Sequence, residues 1–395
     1  MGYRWDELLT RTEGLQKSAV LRKFFGAPPI REEELLDIFR QVSSRYTGEL
    51  LSTLRAYQGG RREELEHRAL STPPSAGANL KMWFEEVFTG LPAALILNRA
   101  ERYSARVANL AASFNYALSG GEPHMLYDVE CVLLIGDYGY SPFGVHLDYG
   151  TTRVVHIPLT AEPKTMLLWT EAEFVNATCG RTPCFNLDPL LPSAERHSFS
   201  AGDVFYLSSD RYHVGHSSRL TATLAVVLTQ HNQSPQLSQL SAALSATFGP
   251  NWAETDMVRQ LRVHELCQLE RTHASLRRLS NVGLCSEVEL DGDSLPSDAD
   301  QMLRVVRPFR FMYSEQFGLT VYVRGTSFSL PAGTDKRHVR SICELLEILN
   351  TGESLSVNIA ARIARTLSHD AIAYLFDLFA RRHAIEAVPP DFALG

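Results

Sequence analysis

The sequence predicts an α+β protein, and three observations carry that reading. The first third is patterned for helices. The middle, Asp128 to Gln230, holds five short β-rich runs separated by Gly, Pro and Asp, the content of a sandwich or barrel. The last part returns to helical patterning, then offers a small hairpin-like stretch and three helical segments.

Along the chain, Arg31–Tyr46 carries Leu35, Ile38, Phe39 and Val42 at helical spacing, and Glu101–Leu118 repeats the pattern. Ser71–Asn79, "STPPSAGAN", is a loop by composition. The β-rich runs are Asp128–Gly136, Thr151–Leu159, Thr165–Trp169, Ala201–Ser209 and Leu220–Gln230. A buried helix segment can imitate one such run, but five in succession point to sheet. Helical patterning resumes over 236–280, and the acidic, turn-rich Ser286–Asp300 is placed as a linker. Arg310–Leu330 is hairpin-like. The segments Val339–Asn350, Leu355–Leu367 and Asp370–Arg382 follow, with Ser368 as N-cap of the last. A hairpin and three helices are the content of a winged helix. The resulting division is 1–235, 236–290 and 300–395.

Composition bounds the function. The 395 residues are 45% apolar and 21% charged, globular values with material for a large core. No stretch approaches the roughly 20 apolar residues of a membrane helix. The N-terminus lacks an apolar signal core, and position 6 is Asp where a myristoylation motif wants Ser or Thr. A cytoplasmic protein is expected. The net charge of −7 argues against a general nucleic-acid binder. Residues 301–395 hold 11 Lys plus Arg against 9 Asp plus Glu, too near neutral for strong phosphate binding. The six cysteines form no CxxC pair. Cys179 and Cys184 flank a loop and are read as thiols in a reducing compartment, although a bridge is open to them.

The segment "GVHLDYGTTRVVHIPL" holds the only His-x-Asp or His-x-Glu of the chain, His146 and Asp148. Residues i and i+2 of a strand share a face, so an imidazole and a carboxylate can reach one ion. The plain alternative is a turn entering a strand. A third ligand is available in "SSDRYHVGHSS", read as a loop between strands and carrying His213 and His216. Two imidazoles and one carboxylate on one side of an ion leave coordination positions open, the donor set of non-haem Fe(II) oxygenases. His156 either faces a cavity or is a core histidine.

Together, "DVECVLLIGDYGYSPFGVHLD", "EPKTMLLW" and "AGDVFYLSSDRYHVGHSS" resemble the JmjC-type branch of the Fe(II)/2-oxoglutarate oxygenases, and within it the ribosomal-oxygenase group. The resemblance implies a double-stranded β-helix (jelly-roll, cupin/JmjC) core with N-terminal helices, a helical dimerisation segment and a winged-helix tail. It places His146, Asp148 and His213 on the iron ligands, with His213 preferred to His216 because Tyr212 supplies the bulky residue before the ligand. Lys164 falls near the cation that pairs with the far carboxylate of 2-oxoglutarate, and a solvated lysine in a turn is the competing reading. Because the loop is longer than the family's, Arg153 is the reserve cation. Thr223 stands where the family has Asn or Thr, while Val132–Ile135 lacks the family's polar residue. The implied cofactors are Fe(II), 2-oxoglutarate and O2. The implied substrate is an amino-acid side chain in a protein or peptide, either ribosomal protein or biosynthetic precursor peptide, with a homodimer as the assembly. Two other readings stay open: a non-enzymatic cupin-like binding protein with a winged-helix regulatory tail, and a JmjC-like RNA hydroxylase.

Overall fold

A computed structural model describes residues 4–47, 51–58, 62–230, 263–289, 292, 294–295, 298–316, 318–330 and 333–389. The chain divides into two compact units, Met1–Leu118 with Tyr127–Gln230, and Ser119–Leu126 with His231–Gly395.

The first unit contains two antiparallel sheets. The larger comprises β1 (Ala19–Leu21), β2 (Leu54–Tyr57), β3 (Ala94–Asn98), β4 (Asp128–Gly136), β6 (Arg153–Pro158), β9 (Val204–Leu207) and β11 (Thr221–Thr229), in spatial order β1-β9-β6-β11-β4-β3-β2. The smaller comprises β5 (Gly139–Tyr140), β7 (Lys164–Trp169), β8 (Glu195–Phe199) and β10 (Tyr212–Ser217), in order β5-β10-β7-β8. Strand alternation gives each sheet two unlike faces. One face of β4 presents Val129, Cys131, Leu133 and Ile135, all at most 1% exposed. Helix α5 (Ala105–Leu118) packs against β4, and α1 (Trp5–Arg11) packs on α5, with the Trp5 and Phe114 rings 4.6 Å apart.

The other faces of the two sheets meet. Val154 on β6, Phe205 and Leu207 on β9 and Ala225 on β11 form one apolar cluster with Met166 and Leu168 on β7 and Phe199 on β8. Val132 and Leu134 of β4 also face this interior but are only half-buried. The outer face of the small sheet is closed by α6 (Glu171–Thr178), where Phe174 stacks on Tyr212 at 3.9 Å. Thr170 and Glu173 make a reciprocal capping box that starts this helix.

The five expected runs are all strands: Asp128–Gly136 is matched at both ends, β7 starts one residue earlier at Lys164, and the other three are shorter. The structure adds others, among them β3, whose apolar "ALILN" fits a helix as well, and the sheet edge β8, whose polar "ERHSF" carries Glu195 and His197 on its inward face before Phe199.

In the second unit, α7 (Val263–Ser280) is the described part of the helical segment, and 231–262 lies outside the described residues. Strands β12 (Leu303–Val305) and β16 (Ile385–Ala387) pair, and β13 (Met312–Ser314), β14 (Thr320–Val323) and β15 (Thr326–Ser329) form a three-stranded sheet where a hairpin was expected. Helices α8 (Lys336–Thr351), α9 (Val357–Ile363) and α10 (His369–Arg381) begin at Asp335, Ser356 and Ser368, whose side chains accept backbone N–H groups at 2.8–3.2 Å. Their core includes Leu346, Leu349, Phe376 and Phe379. Among the described residues, no helix is long and apolar enough to cross a membrane.

Candidate metal centre

The loop before the His-x-Asp turns at Gly144, with φ +67°, a conformation that favours glycine. A Cβ there would lie 2.7 Å from the Cys184 carbonyl oxygen. This close approach lets Val145 exchange two backbone hydrogen bonds with Cys184, at 2.7 and 2.9 Å. His146 then pairs with His213, donating its N–H to the His213 carbonyl at 3.2 Å and accepting the His213 N–H at 2.8 Å. Backbone pairing therefore sets the two imidazoles side by side, with centroids 4.4 Å apart. Asp148, two residues beyond His146, returns to them.

The three side chains offer ligand atoms that all lie within 4.8 Å of one another. Asp148 Oδ1 is 3.6 Å from His146 Nε2 and 3.9 Å from His213 Nε2. Donors on adjacent corners of an octahedral ion with bonds of about 2.1 Å lie about 3 Å apart, so each Asp148–histidine distance needs to contract by under about 1 Å. Each Nδ1 is engaged behind the site: His146 donates to Gly144 O at 3.0 Å and His213 to Arg211 O at 3.2 Å. Those bonds fix the tautomer in which Nε2 carries the lone pair.

Electrostatics separate the two histidines. Burial works to lower the His146 pKa, but the hydrogen bond to Asp148, the Gly144 carbonyl and the Asp148 charge outweigh it, and the net shift is upward. His213 is more deeply buried, and desolvation brings it down to about 4 despite the Asp148 charge. Burial works to raise Asp148, yet the His146 hydrogen bond and the neighbouring imidazoles hold it below the ordinary carboxylate range.

Two expectations are corrected. His213 and His216 stand on strand β10, not in a loop. Alternation turns His213 and Gly215 inward and His216 to the opposite face, where its ring lies 4.8 Å from that of Tyr140. Arg153 is no reserve cation for this interior. Val154 of β6 faces the inter-sheet cluster, so Arg153 points the other way, and its guanidinium donates to the Tyr127 hydroxyl at 3.0 Å.

The remaining candidates share the interior. Lys164 begins β7 on the same face as Met166 and Leu168 and is only 2% exposed. A Cβ at Gly215 would lie 3.2 Å from Lys164 Cε and 3.8 Å from its Nζ, so the missing side chain at 215 is what admits the lysine. His156 and Thr223 face the same space from the large sheet. Among the described residues, both ring nitrogens of His156 and the Thr223 hydroxyl are buried without a hydrogen-bond partner. Burial and the Lys164 charge push the His156 pKa well below its ordinary value, so the ring is neutral. Lys164, His156 and Thr223 are polar residues in a largely apolar lining, and a buried cation beside orphaned donors is matched by an anionic ligand. Cys179 and Cys184 are free thiols.

Two imidazoles and a carboxylate beside a cationic pocket between antiparallel sheets is a donor set for non-haem iron. The chain is similar to the Escherichia coli ribosomal oxygenase YcfD, at 12% identity over 98% of each chain with a TM-score of 0.48. It has a similar likeness, at 13% identity and 0.47, to YcfD in complex with cobalt and 2-oxoglutarate. A weaker one, at 11% identity over 57% of this chain and 82% of the other with a TM-score of 0.32, is to SnoN, a non-heme alpha-ketoglutarate-dependent epimerase from nogalamycin biosynthesis. No family model and no curated protein matches the chain.

Proposed function

We propose that this chain is an Fe(II)/2-oxoglutarate-dependent oxygenase that hydroxylates an amino-acid side chain of a protein or peptide. The observation that carries the reading is the convergence of His146 Nε2, Asp148 Oδ1 and His213 Nε2 on one point, with both Nδ1 atoms tied to carbonyls behind it. Those three side chains would hold the ion, as two imidazoles and one carboxylate, a donor set suited to Fe(II). When bound, the ion with 2-oxoglutarate and O2 supplies the oxidation, in which 2-oxoglutarate becomes succinate and CO2 and one oxygen atom enters a substrate C–H bond.

Every other part is supplied by the protein. Lys164 offers its ammonium to the far carboxylate of the cosubstrate, and Thr223 offers a hydroxyl, where a buried dianion needs charge and donors. Gly215 leaves open the space between His213 and Lys164 on one face of β10 and β7. The apolar walls, Val154, Met166, Leu168 and Phe205, exclude water around the reacting groups. Tyr149, next to Asp148, is 96% exposed, and Phe185, against Gly144, is 67% exposed. This apolar rim favours a substrate presented on a larger chain, from a ribosomal protein or a precursor peptide. On this reading the two sheets are a jelly-roll core, residues 300–395 are a winged-helix-like module that grips protein or peptide, and 236–290 joins two copies.

The test is direct. Anaerobic Fe(II) and 2-oxoglutarate should give a weak visible band, and O2 should then release succinate. The His146→Ala variant should show neither. Undiminished turnover in that variant would sink the proposal, and mass spectrometry for +16 Da products identifies the modified partner.

A further inference from the structure

Among the described residues, His156 is a fully enclosed polar side chain of the interior to which neither the metal nor the contacts proposed for Lys164 and Thr223 give a role. His156 lies on β6 with Ala225 of β11 as its cross-strand partner on one side and Phe205 of β9 on the other. Thr223 stands two residues from Ala225 on β11, so its side chain leaves the sheet on the same face as a diagonal neighbour of His156. From the opposite sheet, Lys164 enters the same space over Gly215. His156 is 7% exposed, its ring lies 5.8 Å from Phe205 and 6.2 Å from Phe199, and neither nitrogen has a partner among the described residues. A histidine kept only for packing costs stability, because it desolvates two polar atoms that an apolar residue lacks. Its place beside a cation and an orphaned hydroxyl gives those atoms a use.

We infer that His156 binds the cosubstrate directly, donating a ring N–H to the carboxylate that Lys164 pairs with, and so completes a three-donor anion site with Lys164 and Thr223. The inference rests on the proposed 2-oxoglutarate dependence and deepens it. It assigns the missing polar partner of the apolar stretch Val132–Ile135 to β6, two strands away in the large sheet. A neutral imidazole suits the role, since it donates to an anion without adding a second positive charge beside Lys164.

The experiment titrates 2-oxoglutarate into the Mn(II)-loaded full chain, for wild type, His156→Leu and His156→Gln, and measures Mn(II) affinity and metal-free melting temperature in parallel. Loss of a hydrogen bond to a charged group predicts that His156→Leu weakens 2-oxoglutarate at least about tenfold. Mn(II) affinity should stay within about twofold of wild type, because His156 touches no donor of the ion in this inference. His156→Gln, which keeps an N–H donor, should recover part of the loss. The metal-free melting temperature of His156→Leu should hold or rise, since two orphaned atoms are gone. An unchanged 2-oxoglutarate affinity in His156→Leu overturns the inference alone. So does an equal loss in both variants accompanied by a lower melting temperature, which marks a packing residue. Wild-type protein that binds Mn(II) but no 2-oxoglutarate overturns the inference together with the function it rests on.

Discussion

The two faces of the large sheet share the same strands and obey different rules. On the helix-covered face, named polar groups are matched within the protein. Tyr206 donates its hydroxyl to the Leu15 carbonyl at 2.7 Å, Glu101 accepts the Cys131 N–H at 2.9 Å, and Asn115 brackets the Tyr127 backbone at 2.9 and 3.1 Å. One residue along the same strands, on the face toward the small sheet, His156 and Thr223 have no such match. Buried polar atoms are normally satisfied, so those of His156 and Thr223, on the same interior face as Lys164, mark where a ligand completes the structure, whereas Arg153 Nε, orphaned on the other face, belongs to a guanidinium that already donates to Tyr127. The helix-covered face holds the fold. The inter-sheet face is built to hold something else.

The largest expected effects fall on the inter-sheet face. Asp148→Ala removes the only carboxylate of the donor set and should abolish Mn(II) binding, a loss of at least about 100-fold, read by titration. Lys164→Met keeps length and apolar stem but removes the charge. It should weaken 2-oxoglutarate by about 30-fold or more, as expected when one partner of a buried charge pair is truncated, with Mn(II) affinity unchanged. An equal loss of metal and cosubstrate in Lys164→Met would merge the two sites that the comparison separates.

The next effect is smaller and depends on pH. Coordination needs both imidazoles neutral. His146 is raised above the ordinary histidine range, His213 is held near 4 and Asp148 is held low. Above about pH 5, only His146 therefore carries a proton that the metal must displace. Mn(II) affinity should fall as pH falls below the raised His146 value, by about one decade per pH unit, and level off above it. In the metal-free protein the sign reverses. The raised His146 stabilises the fold below its unfolded pKa, and that contribution is lost as pH rises through the folded one; the lowered Asp148 has the opposite sign, its contribution lost as pH falls through its folded value. A slope of two decades per unit in the metal titration would show His213 releasing its proton in the same window.

Much of this site was legible in the residues. His-x-Asp needs only a local extended segment to put both groups on one side, and its spacing survives small errors in strand ends. The stretch between Ala201–Ser209 and Leu220–Gln230 offers both His213 and His216, and only the family resemblance, through Tyr212, singles out His213; the polar "SSDRYHVGHSS" that carries them hides a strand behind a loop-like composition. What failed depended on parity. Arg153 sits one residue from Val154, and a shift of one position moves a side chain to the other face of the sheet. The burial of Lys164 depends on Gly215, a residue 51 positions later that only the β7–β10 register brings beneath it. Edge strand β8 escapes the pattern because its inward face carries Glu195 and His197 before Phe199, and β3 because its uniform burial erases the period.

The smallest expected effect lies on the helix-covered face and tests whether the division is real. Tyr206 is fully buried on β9, next to Phe205, which lines the inter-sheet cluster. Burial raises its phenol pKa, so the hydroxyl remains a donor at any working pH. Tyr206→Phe leaves the Leu15 carbonyl unmatched and should cost about 1–2 kcal/mol of stability, measured by denaturant titration. Because adjacent residues of a strand face opposite sides, the loss should not reach Lys164, His156 or Thr223, and Mn(II) and 2-oxoglutarate affinities should stay within about twofold. A destabilised variant with intact ligand binding separates a hydrogen bond that holds the fold from polar groups that await a ligand. If cosubstrate affinity fell in step with stability, the two faces would be one cooperative network, and the orphaned atoms at 156 and 223 would need another explanation.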